Sequence, residues 1–317
     1  MRQTTTCSIV VPVFDEEENV EPLYLALKPV LEGHPYEIIF VDDGSRDRTF
    51  ERLSEIARKD GRVKLVKFRK NFGQSAALAA GFERATGDLI ITTDADLQND
   101  PIDIPKLLSK LDEGYDIVCG WRKHRKDRYF GKRVPSKIFN WLASKSSGLD
   151  LHDFGCTLRA YRKDAVKDIS LYGELHRYIP ALAASKGFKV CEIVVSHHPR
   201  RYGRTKYGAT RLMKGALDLL AVELVERYLA RPMHLFGLLG FLSAAAGGII
   251  AGYLAALRLL YDVPIGERPL LLLAVLLMVF GIQFVVFGLL GEMMTRYQYE
   301  SGAKRFYEIQ QEIGFES

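Results

Sequence analysis

Glycine-rich phosphate loops are missing from this sequence. No GxGxxG follows the first apolar run and no GxxxxGK[ST] occurs anywhere, which argues against dinucleotide-binding and P-loop enzymes. Cysteine is scarce too. Cys7, Cys119, Cys156 and Cys191 are scattered, with no CxxC and no histidine at ligand spacing, so a zinc site is not expected. Reduced thiols in a cytosolic domain are the reading. A secretory leader is not expected, because residues 1–6 are polar and the first apolar run is only Ile9 to Val13. No repeat or low-complexity segment is visible. With 48% hydrophobic and 26% charged residues, wholesale disorder is excluded for a chain of 317 residues.

Charge is absent from two long stretches near the end. Met233 to Leu257 is 25 residues without Asp, Glu, Lys or Arg, and Pro269 to Gly291 is another 23. Roughly 20 apolar residues cross a hydrocarbon core as a helix, so two transmembrane spans are expected over 232–295. The short connection Arg258 to Arg268 makes them a hairpin. Residues 1–231 hold 39 Lys/Arg against 32 Asp/Glu, while 232–317 hold 5 against 7. The positive-inside rule then places residues 1–231 and the tail 296–317 in the cytoplasm of a multi-pass inner (plasma) membrane protein.

The remaining body alternates. Cys7–Val13, Glu37–Asp42, Val63–Phe68, Asp88–Thr93 and Asp116–Cys119 read as strands, with helices predicted over 17–31, 48–59, 74–85 and 101–111. Such alternation implies an α/β fold with a mostly parallel sheet and ligands beyond the carboxyl ends of its strands. Those ends carry carboxylates: Phe14-Asp15-Glu16, Asp42-Asp43-Gly44 and Asp94-Ala95-Asp96-Leu97-Gln98. Asp94 and Asp96, two apart past a strand, suit a hard divalent cation held against phosphates. Eight basic residues between 122 and 137, and six between 200 and 214, point to anionic lipid headgroups rather than nucleic acid, given the attached spans. Amphipathic surface helices are expected near 133–147 and 209–230.

These motifs resemble a family. PVFDEE at 12–17, VDDGSRD at 41–47, NFGQSAALAAG at 71–81, DADLQ at 94–98 and FGCTLRAYRK at 154–163, with the tandem spans, are similar to polyisoprenyl-phosphate glycosyltransferases of glycosyltransferase family 2. The resemblance implies a GT-A fold and inverting transfer of a hexose to a polyprenyl phosphate such as undecaprenyl phosphate. It implies that Pro12, Phe14, Glu16 and Asp43 line the nucleoside pocket, with Asp42 the alternative base contact. Asp94, Asp96 and Gln98 would hold Mg²⁺ or Mn²⁺, while Arg122, Arg133 and Ser136 match positions that bind the lipid phosphate.

Two further groups are read from chemistry. A phosphate monoester is already largely dianionic at pH 7, so it can attack without a base. Asp153, ahead of a strand predicted at Phe154-Gly155-Cys156, is available to orient sugar or acceptor. Arg204 and Lys206, flanked by Gly203 and Gly208, with Arg201 just ahead of them, could close on the donor diphosphate. Because the two C-terminal spans resemble the bactoprenol glucosyltransferase branch of the family, the resemblance makes UDP-glucose the favoured donor, and a homo-oligomer, with a tetramer as one form, is expected. GDP-mannose is the alternative donor, and a non-catalytic scaffold partnering a lipid flippase the alternative of another class. No QxxRW occurs, which argues against a processive polysaccharide synthase.

Overall fold

The computed structural model describes residues 6–123 except 34, 149–199 except 168, 170, 172 and 174, and then 232–261, 264, 269–300 and 307–315. Arg133, Ser136, Arg201, Arg204, Lys206 and both expected surface helices lie outside the described residues.

Eight strands form one sheet: β1 (Cys7–Val13), β2 (Tyr36–Asp42), β3 (Val63–Phe68), β4 (Leu89–Thr92), β5 (Ile117–Trp121), β6 (Arg159–Arg162), β7 (Val190–Val194) and β8 (Ile309–Ile313). Their order is β7-β5-β6-β4-β1-β2-β3-β8. β1 runs parallel to β2 and β4, β2 to β3, and β5 to β7; the pairs β4–β6, β5–β6 and β3–β8 are antiparallel. The central strands read as continuous apolar runs because both faces are covered, and Ile9 and Val10 are both fully buried.

On the face carrying Ile9, Val11, Ile38 and Phe40 lie α1 (Val20–Leu31), α2 (Thr49–Lys59) and α4 (Ile104–Asp112), which contribute Leu23, Leu27, Leu53 and Leu107 to the same core. α3 (Gln74–Arg84) packs on β1 and β2. Two short helices follow, α5 (Lys163–Val166) and α6 (Ile179–Ser185).

Two expectations change. Phe154–Cys156 is a turn, not a strand: the Gly155 N–H donates to Asp153 Oδ1 at 3.1 Å, and extended pairing starts only at Arg159. Nor is 296–317 merely a tail. Tyr307 stacks on Phe68 at 4.9 Å and donates to Glu83, Arg84 pairs with Glu312 at 2.7 Å, and β8 completes the edge beside β3. One compact unit therefore contains residues 1–218 together with 305–317, and residues 219–304 form a second.

The second unit holds α7 (Pro232–Tyr261) and α8 (Pro269–Glu300), so the first helix runs four residues past the predicted end. Gly240 meets Gly281 and Gly247 meets Ala274, an antiparallel approach so close that a Cβ on Gly281 would sit 2.7 Å from Ala244 Cβ. Ser243 Oγ donates to the Leu277 carbonyl at 2.8 Å, which satisfies the hydroxyl inside the pair. Phe236–Tyr261 and Pro269–Gly291 are long and apolar enough to span a bilayer, and only 17% and 11% of their apolar windows are buried within the protein. A soluble core helix would be mostly buried.

Candidate active site

Parallel pairing gathers the chemistry at one edge. β1, β2 and β4 end side by side, with Val13 opposite Asp42 and Val10 opposite Thr92. β6 runs against β4, so its amino end reaches the same edge, as do the carboxyl ends of β5 and β7. Each described candidate site residue lies in the last two positions of one of these strands, just past it, or ahead of β6.

The first two loops are laced together. Ser45 Oγ accepts from Asp15 N, Asp15 Oδ1 from Arg46 N and Thr49 Oγ1 from Glu16 N, at 2.9, 2.7 and 2.9 Å. Asp15 takes φ of 49°, a left-handed turn that its short polar side chain tolerates. Pro12 and Phe14 are half-buried, and the buried Glu16 accepts from Asn19 at the start of α1.

The paired aspartates have different surroundings. Asp43 takes the Phe72 and Gly73 N–H groups on its two oxygens, at 2.7 and 2.9 Å. Burial pushes its pKa up to about 6; the two N–H donors oppose the rise and neighbouring Asp42 adds to it. Asp42 Oδ1 accepts from Ser45 N at 2.9 Å, whereas its buried Oδ2 has no hydrogen-bond partner among the described residues. Burial also raises the Asp42 pKa, held back by Ser45. Gly44 joins these loops: at φ of 71°, its Cβ would lie 2.5 Å from the Lys70 carbonyl carbon, so only glycine fits.

Past β4, Asp94 is half-buried and accepts from Gln74 Nε2 at 2.8 Å. Asp96 is 9% exposed and accepts from Gln98 N at 3.1 Å. Leu97 between them has φ of 58°, strain of about 1–3 kcal/mol that turns the chain between the two polar side chains. Gln98 Nε2 faces the His198 carbonyl at 3.4 Å, and His198 N donates to the Gln98 carbonyl at 2.8 Å. His198 also meets Asp100 at 3.0 Å. Two carboxylates and an amide are a hard, oxygen-rich donor set, and among the described residues no cluster of three His, Cys, Asp or Glu could hold a metal alone. That fits Mg²⁺ or Mn²⁺, which take one or two carboxylates and complete their shell with substrate phosphates.

Asp153 and Arg122 form a bidentate pair, Nε to Oδ2 at 2.7 Å and Nη2 to Oδ1 at 3.0 Å, with side chains 6% and 10% exposed. Burial alone would lower the Arg122 pKa; the facing carboxylate outweighs it and the guanidinium is held firmly charged. His152 stacks on Trp121 at 4.2 Å and hydrogen-bonds Glu192, anchoring the loop just ahead of Asp153.

Three contributors carry no role in the sequence reading: Gln74, the Ser75–His176 contact and Arg159. Arg159 is 3% exposed and donates to the carbonyls of His176 and Phe154 at 3.0 and 2.6 Å, which ties both loops to β6. The NFGQS motif was the available signal for the first two. The four cysteines are free thiols.

The sheet and the carboxylates at the ends of β1, β2 and β4 fit a glycosyltransferase of the GT-A fold. Residues 8–170 match Glycosyl transferase family 2, and the chain belongs to that family. It is 41% identical over 315 residues to dodecaprenyl-phosphate galacturonate synthase of Rhizobium johnstonii, covering 98% of this chain and 93% of the relative. It is also 41% identical over 293 residues to undecaprenyl-phosphate 4-deoxy-4-formamido-L-arabinose transferase of Pseudomonas aeruginosa, covering 91% and 85%. Glucosyl-3-phosphoglycerate synthase of Mycobacterium tuberculosis, solved with Mn²⁺, UDP and glucosyl-3-phosphoglycerate, superposes with a TM-score of 0.55 at 19% identity, covering 70% and 80%. That likeness is one of fold.

Proposed function

We propose that this enzyme transfers one sugar from a nucleotide diphosphate donor to a polyprenyl phosphate at the cytoplasmic face of the plasma membrane. The observation that carries the reading is similarity over nearly the whole chain, apolar helices included, to transferases named for polyprenyl-phosphate products. The resemblance of the two C-terminal spans to the bactoprenol glucosyltransferase branch favours UDP-glucose. The sugars named for the relatives are a uronic acid and a formamido pentose, which shifts the proposal to a UDP sugar of that substituted class. A panel of labelled UDP-galacturonate, UDP-4-deoxy-4-formamido-L-arabinose, UDP-glucose and GDP-mannose with short polyprenyl phosphates tests it. One of the first two should label the lipid; labelling by GDP-mannose alone would refute the reading. A non-catalytic scaffold is disfavoured because both aspartates of DADLQ remain in place.

In this reading Asp42 Oδ2 accepts from a ring N–H of the base, since a buried carboxylate oxygen costs free energy until it gains a donor. Phe14 and Pro12 flank the base, with Glu16 holding their loop to α1. Asp43 spends both oxygens on backbone and shapes the pocket instead. Asp94, Asp96 and Gln98 would hold Mg²⁺ or Mn²⁺, which when bound neutralises the departing diphosphate as a Lewis acid. Arg122 keeps Nε and Nη2 on Asp153 and would offer its remaining guanidinium N–H groups to the acceptor phosphate, for which Arg133 and Ser136 are the further proposed ligands. Asp153 orients that guanidinium, so it acts through Arg122 rather than as a base. Arg201, Arg204 and Lys206 close on the donor diphosphate. The active species is a homo-oligomer.

Chain connectivity supports the topology. The chain leaves the catalytic unit before α7 and is back in its sheet by β8, so any membrane crossing between them occurs an even number of times. A tag inserted at Val263 is expected to be reachable only from outside the cell, with tags at both termini protected. Labelling of the loop and a terminus from one side would contradict the hairpin.

A further inference from the structure

Four consecutive residues, Phe72 to Ser75, hand groups to three different parts of the site. The Phe72 and Gly73 N–H groups occupy the oxygens of Asp43, past β2. Gln74 Nε2 donates to Asp94 Oδ1 at 2.8 Å, past β4. Ser75 Oγ lies 2.9 Å from His176 Nδ1 and accepts from His176 N at 3.2 Å, both residues being at most 5% exposed. In sheet order β1 lies between β4 and β2, so this segment bridges across the end of β1.

We propose that Gln74 is a positioning residue that fixes the Asp94 carboxylate for divalent-cation binding, braced on one side by Asp43 and on the other by His176. The inference rests on the reading of Asp94 as part of a cation site. A carboxylate swings about its last side-chain bond, and a donor on one oxygen sets the plane of the group. Gln74 suits this because its amide donates without adding charge, so the donation itself does not cancel the negative charge of Asp94. Its own backbone is not loose. Gly73 and Ser75 are held on either side of it, and Ser75 starts the buried face of α3. Groups one step removed from a metal typically influence affinity 10- to 100-fold.

The experiment uses the full-length protein in detergent and follows free Mn²⁺ by electron paramagnetic resonance in the presence of inorganic pyrophosphate, which imitates a diphosphate without a base or sugar. Gln74→Leu is expected to weaken Mn²⁺ binding roughly tenfold. Gln74→Met, which keeps the chain length and removes the donor, should do the same and serves if the leucine variant folds poorly. Asp94→Asn should weaken binding as well, and Gln74→Leu added to Asp94→Asn should cost nothing further, because the amide acts only through that carboxylate. Unchanged Mn²⁺ affinity in Gln74→Leu and Gln74→Met, or losses that add in the double variant, would overturn the positioning role. Wild-type protein that fails to bind Mn²⁺ with pyrophosphate would overturn the cation reading of Asp94 itself. A merely structural role lowers the thermal midpoint and leaves the Mn²⁺ affinity of the folded fraction where it was.

Discussion

Asp96→Asn is expected to leave a folded, membrane-inserted protein whose transfer rate has dropped on the order of 10²–10³-fold or more, the loss typical when one electrostatic stabiliser of a developing charge is removed. The fold should survive because the Asp96 carboxylate accepts from Gln98 N, and an asparagine carbonyl can accept that bond equally well. What disappears is a negative charge at the carboxyl end of β4. A neutral amide is a weaker ligand for a hard cation, so the diphosphate leaves with less of its charge neutralised. Asp100→Asn, four residues on and engaged with His198, is the control and should retain near-normal transfer. Radiolabel transfer to a short polyprenyl phosphate measures both. Full activity of Asp96→Asn, or of the wild type in excess chelator, would eliminate cation-assisted departure.

Arg122→Ala has the second large effect, and it falls on stability as well as on the acceptor. Truncating one member of a buried bidentate pair takes from Asp153, 6% exposed, its guanidinium partner, a loss of about 3–5 kcal/mol in comparable pairs. A thermal melt should therefore shift downward strongly, which a surface arginine would not do. Arg122→Lys keeps charge without the fork and should recover only part of the stability. Arg122→Ala combined with Asp153→Ala removes both charges and should be less damaging to the melt than Arg122→Ala alone. Equal melts for Arg122→Ala and the wild type would show that the pair contributes nothing to the fold. Loss of transfer in Arg122→Lys at near-normal stability would point to the phosphate-binding role.

The Arg122–Asp153 pair also shows where reading a sequence stops. Each residue stood out singly, Arg122 in a basic run and Asp153 ahead of a motif. Nothing local couples two residues 31 apart, because the register of β5 against β6 creates that contact. The strands themselves were legible, since runs such as Ile9 to Val13 and Ile38 to Val41 are buried on both faces and cannot tolerate polar breaks. Asp94 and Asp96 were legible as well, because a parallel sheet sends its polar residues to strand ends. Phe154–Cys156 misled: its apolar residues fill a turn that Asp153 caps, and pure composition cannot tell a buried turn from a short strand. Ile309–Ile313 was invisible for the opposite reason. Its Gln-Gln-Glu centre carries no apolar period, and pairing with β3 plus the Tyr307 stack on Phe68 supply what its own sequence lacks.

That last strand has a consequence for biogenesis. A ribosome making about 5–20 residues per second needs on the order of ten to fifty seconds to pass from Phe68 to Ile309. Throughout that interval β3 is an open edge, a ready template for wrong partners. It is capped only after both apolar helices have been synthesised. A nascent chain that stalls at either helix keeps its catalytic sheet unfinished, and a quality-control protease could recognise it by that exposed edge alone.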